Sequence, residues 1–455
     1  MKKFFLLAVI MFFISSALYS QDGIEIIKAR KKQKHPKERY DPSKTVDTLT
    51  INGLDTIVSH ETLRKDYKDI VALSKKDSVR YNGVVYTSGT LKQVLHKNHR
   101  DSIRAYKNWW ISVLGGPSYT PEASLGIGGA ALMTFLTDRN DPNLMRSFIP
   151  IGFNVSINGT FVLAGISCLY FNDNSFRIYS NYGFRLEPAN FYGIGYKEAD
   201  IEKNKDEVIY DKQTLYLRPV FLWDVWEKKL FLGPMLDITY NNGSGMPNNM
   251  ESNPAVMKYG HRFVDIGVGF SAQYDTRNNE SFPIKGIYAI LKATAYPEFM
   301  GNKYSYGYIS TEFRHYIQLF HRRSTLAYTI RLDNGIDNVP YSNLPTFGSP
   351  FDLRGYIMGK YRDQNMCYGM VEYRHMFGTR EQYARRAFVS RLGAVAWFGA
   401  GSISDKMKNM TNWKTNYGIG FRYEIQPYKN FRLDIGRGTG KGNGWLVYFN
   451  MTEAF

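Results

Sequence analysis

The stretch that decides the fold is VDIGVGFSAQYD, residues 264–275. Its apolar side chains all share one parity, while the other parity carries glycine, polar or charged side chains. The apolar set is Val264, Ile266, Val268, Phe270, Ala272 and Tyr274, and the other set is Asp265, Gly267, Gly269, Ser271, Gln273 and Asp275. Successive side chains of a β-strand point to opposite faces. The stretch therefore predicts a strand with hydrocarbon on one face and water on the other.

The same alternation recurs through the rest of the chain. About sixteen such segments follow from Ala123 onward, an even number, as single-chain bacterial barrels require. Their centres lie near Gly129, Phe153, Gly165, Tyr179, Tyr192, Arg218, Met235, Gly267, Ile290, Phe313, Tyr328, Val371, Val395, Ile419, Leu433 and Phe449. Trp109 to Tyr119 is either a further strand or the point where the chain enters the lumen. The pattern predicts an all-β fold, an antiparallel transmembrane β-barrel over residues 109–455.

The composition agrees with a barrel and argues against two other classes. Aromatic residues make up 15% of the chain, yet the mean hydropathy is −0.36. Beyond the N-terminus no stretch reaches the roughly 20 continuous apolar residues of a spanning helix, whereas a barrel exposes only alternate residues to lipid. The net charge of +17 would suggest nucleic acid in a soluble protein. Because the basic residues are scattered, we expect no nucleic-acid partner.

The first 108 residues are predicted to stay outside the barrel. Lys2 and Lys3 precede the apolar run Phe4–Phe13, and small residues lead to a cleavage position after Ser20, so residues 1–20 predict a secretory signal peptide. Export of a barrel predicts the outer membrane of a Gram-negative cell. Residues 21–108 are basic and poor in apolar side chains. They predict a short periplasmic segment that is either a small ordered module or a flexible arm or plug.

Loop lengths indicate how the barrel is oriented. Asn158-Gly159 and Glu227–Lys229 are tight turns, whereas Thr137–Arg146 and Asn334–Asp363 are longer. Short periplasmic turns and long external loops are typical of transmembrane barrels. The longest loop places Arg354 among turn-forming and apolar residues, and a loop of such length in a compact domain is usually functional or disordered. We predict that this loop folds into the lumen, the alternative being an exposed loop arginine.

Four motifs stand in a fixed order along residues 109–455. They are DTRNN with FPIKG at residues 275–286, LRGY at 353–356, YGIGFRYEI at 417–425, and the ending from LDIGR at 433–437 to TEAF at 452–455. Together they resemble the bacterial surface antigen family, the barrel half of the BamA/TamA-type outer-membrane insertases and translocases. The resemblance implies a transmembrane β-barrel, which is the fold that the alternation of apolar and polar residues also predicts.

The resemblance also implies a site inside the barrel. In the family the loop arginine enters the lumen and is held by acidic side chains of neighbouring strands. Carried over to this sequence, Arg354, Gly355 and Tyr356 form a lumen loop latch with Glu372. The family's usual aspartate on the following strand aligns with Gly399, which implies that one acidic partner is missing. A guanidinium–carboxylate pair is a strong and directional contact.

A candidate lateral gate lies where the barrel closes. Gly126, Gly128 and Gly129 fall in the first counted strand, and glycines weaken strand pairing. That strand would close on the last one, which ends at Phe455, and the seam between them could open sideways. The alternative is that these glycines make room for an adjacent aromatic side chain.

The resemblance implies a non-enzymatic function. We expect the protein to assist assembly or translocation of outer-membrane proteins, with outer-membrane lipid and either unfolded outer-membrane proteins or assembly-machinery subunits as partners. Assembly factors of the family carry several POTRA modules, whereas residues 21–108 have room for one at most. A passive pore or a surface-anchoring barrel without assembly activity is therefore the alternative.

Several apparent chemical signals are discounted. GRGTGKG at residues 436–442 lacks the spacing of a phosphate-binding loop and precedes a strand. The eight histidines show no metal-ligand spacing. His315 and His375 have lipid-facing parity, but no strand serine is evidently paired with either, as a membrane phospholipase would require. We predict no catalytic residue, no metal and no cofactor.

Overall fold

The computed structural model describes most of the chain after residue 108 and short parts before it. The described residues are 44, 46–51, 54–66, 68–70, 79–81, 84–86, 109–120, 124–138, 141, 144–201, 203–204, 207–280, 282–320, 323–378, 388–426, 429–440, 443–450 and 453–455. The predicted signal peptide lies outside them. The chain divides into two compact units. Among the described residues, no helix combines the length and apolar character needed to cross a membrane.

The smaller unit contains a short antiparallel sheet. Its elements are β1 (Val46–Ile51), β2 (Leu54–Ser59), α1 (His60–Lys65), β3 (Val79–Tyr81) and β4 (Val84–Tyr86), with the strand order β2-β1-β3-β4. The Ser59 hydroxyl accepts a 3.1 Å hydrogen bond from the Thr62 amide and so caps α1. No POTRA module is evident in this described part of the N-terminal region.

The larger unit is a closed antiparallel barrel. Its strands are β5 (Trp109–Thr120), β6 (Ser124–Phe135), β7 (Ser147–Ser156), β8 (Phe161–Phe171), β9 (Phe176–Asn190), β10 (Ile209–Trp226), β11 (Leu230–Ser244), β12 (Arg262–Asp275), β13 (Gly286–Tyr296), β14 (Tyr306–Gln318) and β15 (Ser324–Asp337), then, after the loop strands β16 (Thr346–Phe347) and β17 (Tyr361–Arg362), β18 (Asn365–Met376), β19 (Leu392–Ser404), β20 (Lys414–Gln426), β21 (Lys429–Gly438) and β22 (Trp445–Asn450). Each barrel strand pairs with its neighbour in the chain, and β22 returns to β5. The prediction of a sixteen-stranded barrel is confirmed.

Helices occur only as short pieces in the described connections between strands. They are α2 (Tyr196–Ala199), α3 (Asn248–Glu251) and α4 (Pro254–Tyr259), with 3-10 turns at Glu298–Met300, Val389–Arg391 and Met407–Asn409.

One predicted strand centre, Tyr192, was wrong, and the alternative that Trp109 to Tyr119 is a further strand is confirmed, so the count of sixteen is unchanged. Trp109–Thr120 is the first barrel strand, β5, and Tyr192 lies in the loop after β9. Proline lacks a backbone donor and seldom occurs in the interior of a sheet. Pro188 nevertheless lies inside β9, which stays paired with β10 there, with Pro188 opposite Asp211. Because β5 is the first barrel strand, the loops between the early strands lie at the opposite end of the barrel from the one predicted.

The two ends of the barrel differ in their connections. The turns at residues 227–229 and 319–323 share one end, called the short-turn end here, and the loop at 338–364 leaves from the other. Following the strands back, residues 136–138 and 144–146 lie at the short-turn end and Asn158-Gly159 at the long-loop end. Those two positions are the reverse of the prediction, because the prediction began counting one strand late.

Burial follows the predicted parity. In β12, Val268 and Phe270 are 43% and 48% exposed, whereas Asp265 and Ser271 are 2% and 0% exposed. This arrangement is the inverse of a soluble protein, in which charged side chains are seldom buried. Apolar side chains therefore cover the outside of the barrel and polar ones fill the lumen.

The long loop between β15 and β18 enters the lumen and is ordered there. β16 and β17 pair within it, with Phe347 opposite Tyr361. Its side chains Phe347, Leu353, Tyr356 and Tyr361 are at most 1% exposed and join strand residues of the lumen in one apolar cluster. The predicted loop in the lumen is confirmed, and local pairing gives it a structure of its own.

Candidate functional site

The guanidinium of Arg354 is enclosed at the tip of the loop. Its Nη2 donates to Glu372 on β18 and its Nη1 donates to Asp434 on β21. The guanidinium also lies 3.6 Å from the ring centroid of Trp397 on β19. Arg354, Glu372 and Asp434 are all fully buried. Two carboxylates and one aromatic plane thus hold a single cation.

The second carboxylate corrects the expectation drawn from the resemblance. Position 399 had implied that one acidic partner of Arg354 was missing, but Asp434 supplies it from two strands further along the barrel. A Cβ atom at Gly399 would lie 2.5 Å from Met370 Cγ and 2.6 Å from Asn416 Oδ1, so the lumen has no room there for an aspartate. Asp434 had a sequence signal, since it has inward parity in the LDIGR motif.

Arg354 belongs to a larger group that we call the lumen ion cluster. Its members are Arg354, Arg374, Arg422, Arg432, Glu372, Asp434 and Glu453. Arg374 Nε lies 2.8 Å from Glu372 Oε2, and Arg422 Nη1 lies 2.6 Å from Asp434 Oδ1. Glu372 and Asp434 therefore each bind Arg354 and at least one other arginine, which offsets the cost of burying their charges.

Gly355 and Tyr356 fix the rest of the loop tip. Gly355 has φ +103°, and a Cβ atom there would lie 2.5 Å from the backbone of Arg437 and Gly438. Its amide donates a 2.9 Å hydrogen bond to the Tyr448 hydroxyl on β22. The Tyr356 hydroxyl accepts a 2.9 Å hydrogen bond from the amide of Thr439. The tip of the loop therefore lies directly on the backbone of β21 and also contacts the closing strand.

A second anchor of the loop was missed by sequence reasoning. Arg362 Nη2 donates to the carbonyl oxygen of Asn190 at 2.7 Å, and the Tyr361 hydroxyl donates to Asp200 Oδ1 at 2.9 Å. Burial raises the pKa of the Tyr361 phenol above its ordinary value. These partners are a carbonyl group and a side chain of the distant 190–200 region, so no local motif marks them. The only signal in the sequence was Arg362 itself, as a second arginine in the long loop.

The seam of the barrel lies between β5 and β22. In the described residues the two strands are in register at one position, Phe449 opposite Tyr119. By contrast, β5 is in register with β6 from Trp109 to Thr120 along its whole length. The described residues 453–455, which follow β22, form no strand and are buried in the lumen. By the register at Phe449 and Tyr119, they leave Val113 to Gly115 of β5 without a described partner on this side. The seam is thus the least paired junction among the described strands.

The glycines proposed for the gate do not lie at this seam. Gly126, Gly128 and Gly129 belong to β6, the second barrel strand, which pairs with β5 and β7. The prediction placed them at the seam because β5 was not counted as the first strand. A Cβ atom at Gly126 would lie 2.6 Å from the Val155 carbonyl oxygen. It is the neighbouring backbone, and no aromatic ring, that this glycine accommodates.

Phe455 lies in the lumen and not on the lipid-facing surface. It is 5% exposed, its carbonyl oxygen accepts a 2.9 Å hydrogen bond from Arg374 Nη2, and its ring lies beneath the Arg374 guanidinium. Glu453 accepts from Arg422 Nε at 2.9 Å. The residues that follow β22 therefore join the lumen ion cluster, which links the seam strand to the loop.

The expectation that no serine pairs with a lipid-facing histidine was wrong. Ser324 Oγ lies 2.6 Å from His375 Nδ1, across the register of β15 and β18. His315 has an equivalent contact with the Tyr328 hydroxyl at 2.6 Å. The pairing depends on the register of two strands joined by the long loop, which the sequence does not show.

Comparisons with known proteins agree with this geometry. Residues 156–455 match the family model of the Omp85 superfamily domain. Among solved structures, BamA from Haemophilus ducreyi lacking POTRA domains 1–3 is similar with a TM-score of 0.51 and 14% identity, over 75% of this chain and 70% of that one. CdiB from Acinetobacter baumannii has a TM-score of 0.47 and 8% identity, over 75% and 59%. A search among curated proteins finds no match. At these identities the likeness to BamA concerns the fold alone.

Proposed function

Because the chain belongs to the Omp85 superfamily, we propose that it assists the assembly or translocation of outer-membrane proteins in the outer membrane of a Gram-negative cell. The site of action is the seam between β5 and β22. The client is an unfolded outer-membrane protein, presented directly or through subunits of an assembly machinery. The N-terminal residues are the segment exposed to the periplasm.

The sparse pairing of the seam is the observation that carries the proposal. Backbone groups that lack a partner in hydrocarbon cost several kcal/mol each, so a barrel edge favours pairing with another strand. Along β5 only Tyr119 has a described partner in β22. An incoming strand could pair with Val113 to Gly115, the part of this edge opposite residues 453–455, by β-augmentation.

The lumen ion cluster supports the proposal by connecting the seam to the loop. Asp434 binds both Arg354 of the loop and Arg422, and Arg422 also binds Glu453 beyond the end of β22. A movement of β22 would therefore pull on Arg422. We propose that Arg354, Gly355, Tyr356 and Glu372 form a latch that keeps the barrel wall in place while the seam opens.

A disulfide across the seam tests the function. The variant Tyr119→Cys with Phe449→Cys, in a chain whose native cysteines are replaced by Cys168→Ser and Cys367→Ser, would join two residues that lie opposite each other. Antiparallel partners are about 4.5 to 5.5 Å apart at Cα, which a disulfide can span. In cells that depend on this variant, we expect outer-membrane protein levels to fall until a reductant is added.

The matched control joins β5 to its other neighbour. Val113→Cys with Ala131→Cys links residues that lie opposite each other in β5 and β6, and this disulfide should leave assembly unchanged. Unchanged outer-membrane protein levels with a closed seam disulfide would contradict the proposal. If the seam disulfide does lower outer-membrane protein levels, pull-down from detergent extract would identify the bound clients or assembly subunits.

A further inference from the structure

The outer wall of the barrel carries a groove across β18 to β21. Its volume is about 550 Å³. Ala394 and Ala396 of β19 form the floor, with His375 and Tyr373 opposite them on β18 and Phe421 and Ile419 opposite them on β20. In each of these two rows, a small side chain on β19 therefore lies between a larger side chain on β18 and a larger one on β20. The two methyl groups leave a trough between two walls of larger side chains.

The two ends of the trough differ in the side chains that lie beyond them. Toward the long-loop end, the next outward residue of β19 is Phe398, which is 58% exposed. Phe398 lies four positions beyond Ala394 along the strand, a distance of roughly 13 Å. Toward the short-turn end, His375 Nδ1 contacts the hydroxyls of Ser324 at 2.6 Å and Tyr373 at 3.4 Å. At this end the apolar lining thus carries one imidazole, with Phe377 beyond it.

A positive charge lies beyond the short-turn end of the trough. The next outward residue of β20 after Phe421 is Tyr423, about 7 Å further along the strand. The guanidinium of Arg391 lies 4.6 Å from the Tyr423 ring centroid and donates to the carbonyl oxygen of Glu424 at 2.9 Å. Both of these partners are uncharged, so among the described residues the Arg391 guanidinium has no carboxylate partner.

We infer that the groove holds one acyl chain of an anionic phospholipid, whose phosphate lies near Arg391. The occupant follows from three properties. The groove opens on the lipid-facing parity of the barrel, so hydrocarbon reaches it. The His375 imidazole and the Tyr373 phenol, which both line the groove, suit the glycerol ester region of a lipid, where amphipathic aromatic side chains are usual. The arginine complements a phosphate. The inference does not depend on the proposed function.

Native mass spectrometry of the full-length protein tests the inference. The protein would be released from vesicles of phosphatidylethanolamine with phosphatidylglycerol, and the lipid that it retains would be counted. We expect Ala394→Leu with Ala396→Leu, which fills the trough, to lower retained phosphatidylglycerol about tenfold. Arg391→Gln should leave total phospholipid similar but abolish the preference for phosphatidylglycerol.

Matched variants separate the groove from general lipid contact. Ala289→Leu with Ala293→Leu changes two outward alanines of β13 outside the groove, and it should retain lipid like the unaltered protein. His315→Phe removes a lipid-facing histidine that lies outside the groove, and it should also have no effect, whereas His375→Phe should weaken retention. A gel shift on heating verifies that each variant is folded.

Three results would overturn the inference. The filled groove could retain phosphatidylglycerol at the unaltered level, or Arg391→Gln could leave the headgroup preference intact. In vesicles that also contain lipid A, selective retention of lipid A would place a different lipid in the groove.

Discussion

Arg354 is held by carboxylates that are themselves held by other arginines. Glu372 also binds Arg374, and Asp434 also binds Arg422. Loss of the Arg354 side chain therefore leaves neither carboxylate without a cation. Removing one partner of a buried ion pair typically costs about 3 to 5 kcal/mol of stability. Because each carboxylate keeps a second arginine, we expect the loss of Arg354 to cost an amount near the lower end of that range.

We predict that Arg354→Ala lowers the free energy of unfolding by about 3 kcal/mol. The measurement is denaturant unfolding in lipid vesicles, followed by tryptophan fluorescence. The control is Arg185→Ala, since Arg185 and Glu187 form a partly exposed pair at 3.1 Å that should contribute below about 1 kcal/mol. Equal losses in the two variants would show that the lumen is wet enough to screen Arg354.

At Gly355 the backbone decides whether the loop can dock. We predict that Gly355→Ala releases the loop, because the new methyl group would meet the backbone of β21 at 2.5 Å. Limited proteolysis should then cleave between residues 338 and 364. Gly301→Ala is the matched control, since Gly301 has a similar φ of +96° with nothing within 4 Å of its Cβ position. Cleavage of the loop in both variants would attribute the effect to φ strain alone.

At the scale of elements, β22 depends on contacts beyond its own ladder. It is six residues long, and the residues after it bind into the lumen through Glu453 and Phe455. Its displacement is opposed by the ladder with β21, the hydrogen bond from the Gly355 amide to Tyr448, the ion pair with Arg422 and the hydrogen bond from Arg374. The last two are charge-assisted and buried, so they are the stronger kind of hydrogen bond.

We predict that a cysteine at position 454 is protected from a membrane-impermeant maleimide. Ala454 is 4% exposed, so Ala454→Cys, in the Cys168→Ser and Cys367→Ser background, should react slowly. Adding Glu453→Gln should speed the reaction, because the ion pair with Arg422 is lost. Phe299→Cys, at a side chain that is 88% exposed, gives the rate of an open site. The same fast rate at position 454 in the chain that keeps Glu453 would contradict burial of this segment.

At the scale of the whole molecule, the barrel separates two solvents by strand parity. We predict that Val268→Arg, in the middle of β12 and facing lipid, destabilises the barrel by about 2 to 4 kcal/mol. Ile290→Arg, in the middle of β13, faces the lumen opposite Glu312 and should cost much less. The free energy of unfolding in vesicles distinguishes the two. Similar costs would mean that the lumen is as poor a solvent for charge as the membrane.

The barrel architecture was largely predictable from the sequence. The set of side chains that surround Arg354 was predictable only in part. Parity in β12 correctly separated outward Val268 from inward Asp265, and it gave Glu372 an inward position. Parity could not reveal that Asp434, from another strand, meets the same guanidinium. Nor could it show that Trp109–Thr120 closes the barrel, or that Pro188 stays within a strand.

The sequence by itself determined which side chains meet hydrocarbon and which meet water, because the period of two in a strand records that choice locally. It also indicated a barrel of about sixteen strands and placed an arginine in the longest loop. Only the tertiary structure decided which strands meet at the seam, which carboxylates hold Arg354, and that Phe455 lies in the lumen. The physical reason is that register, shear and closure depend on pairing between distant residues, and such pairing leaves no periodic trace along the chain.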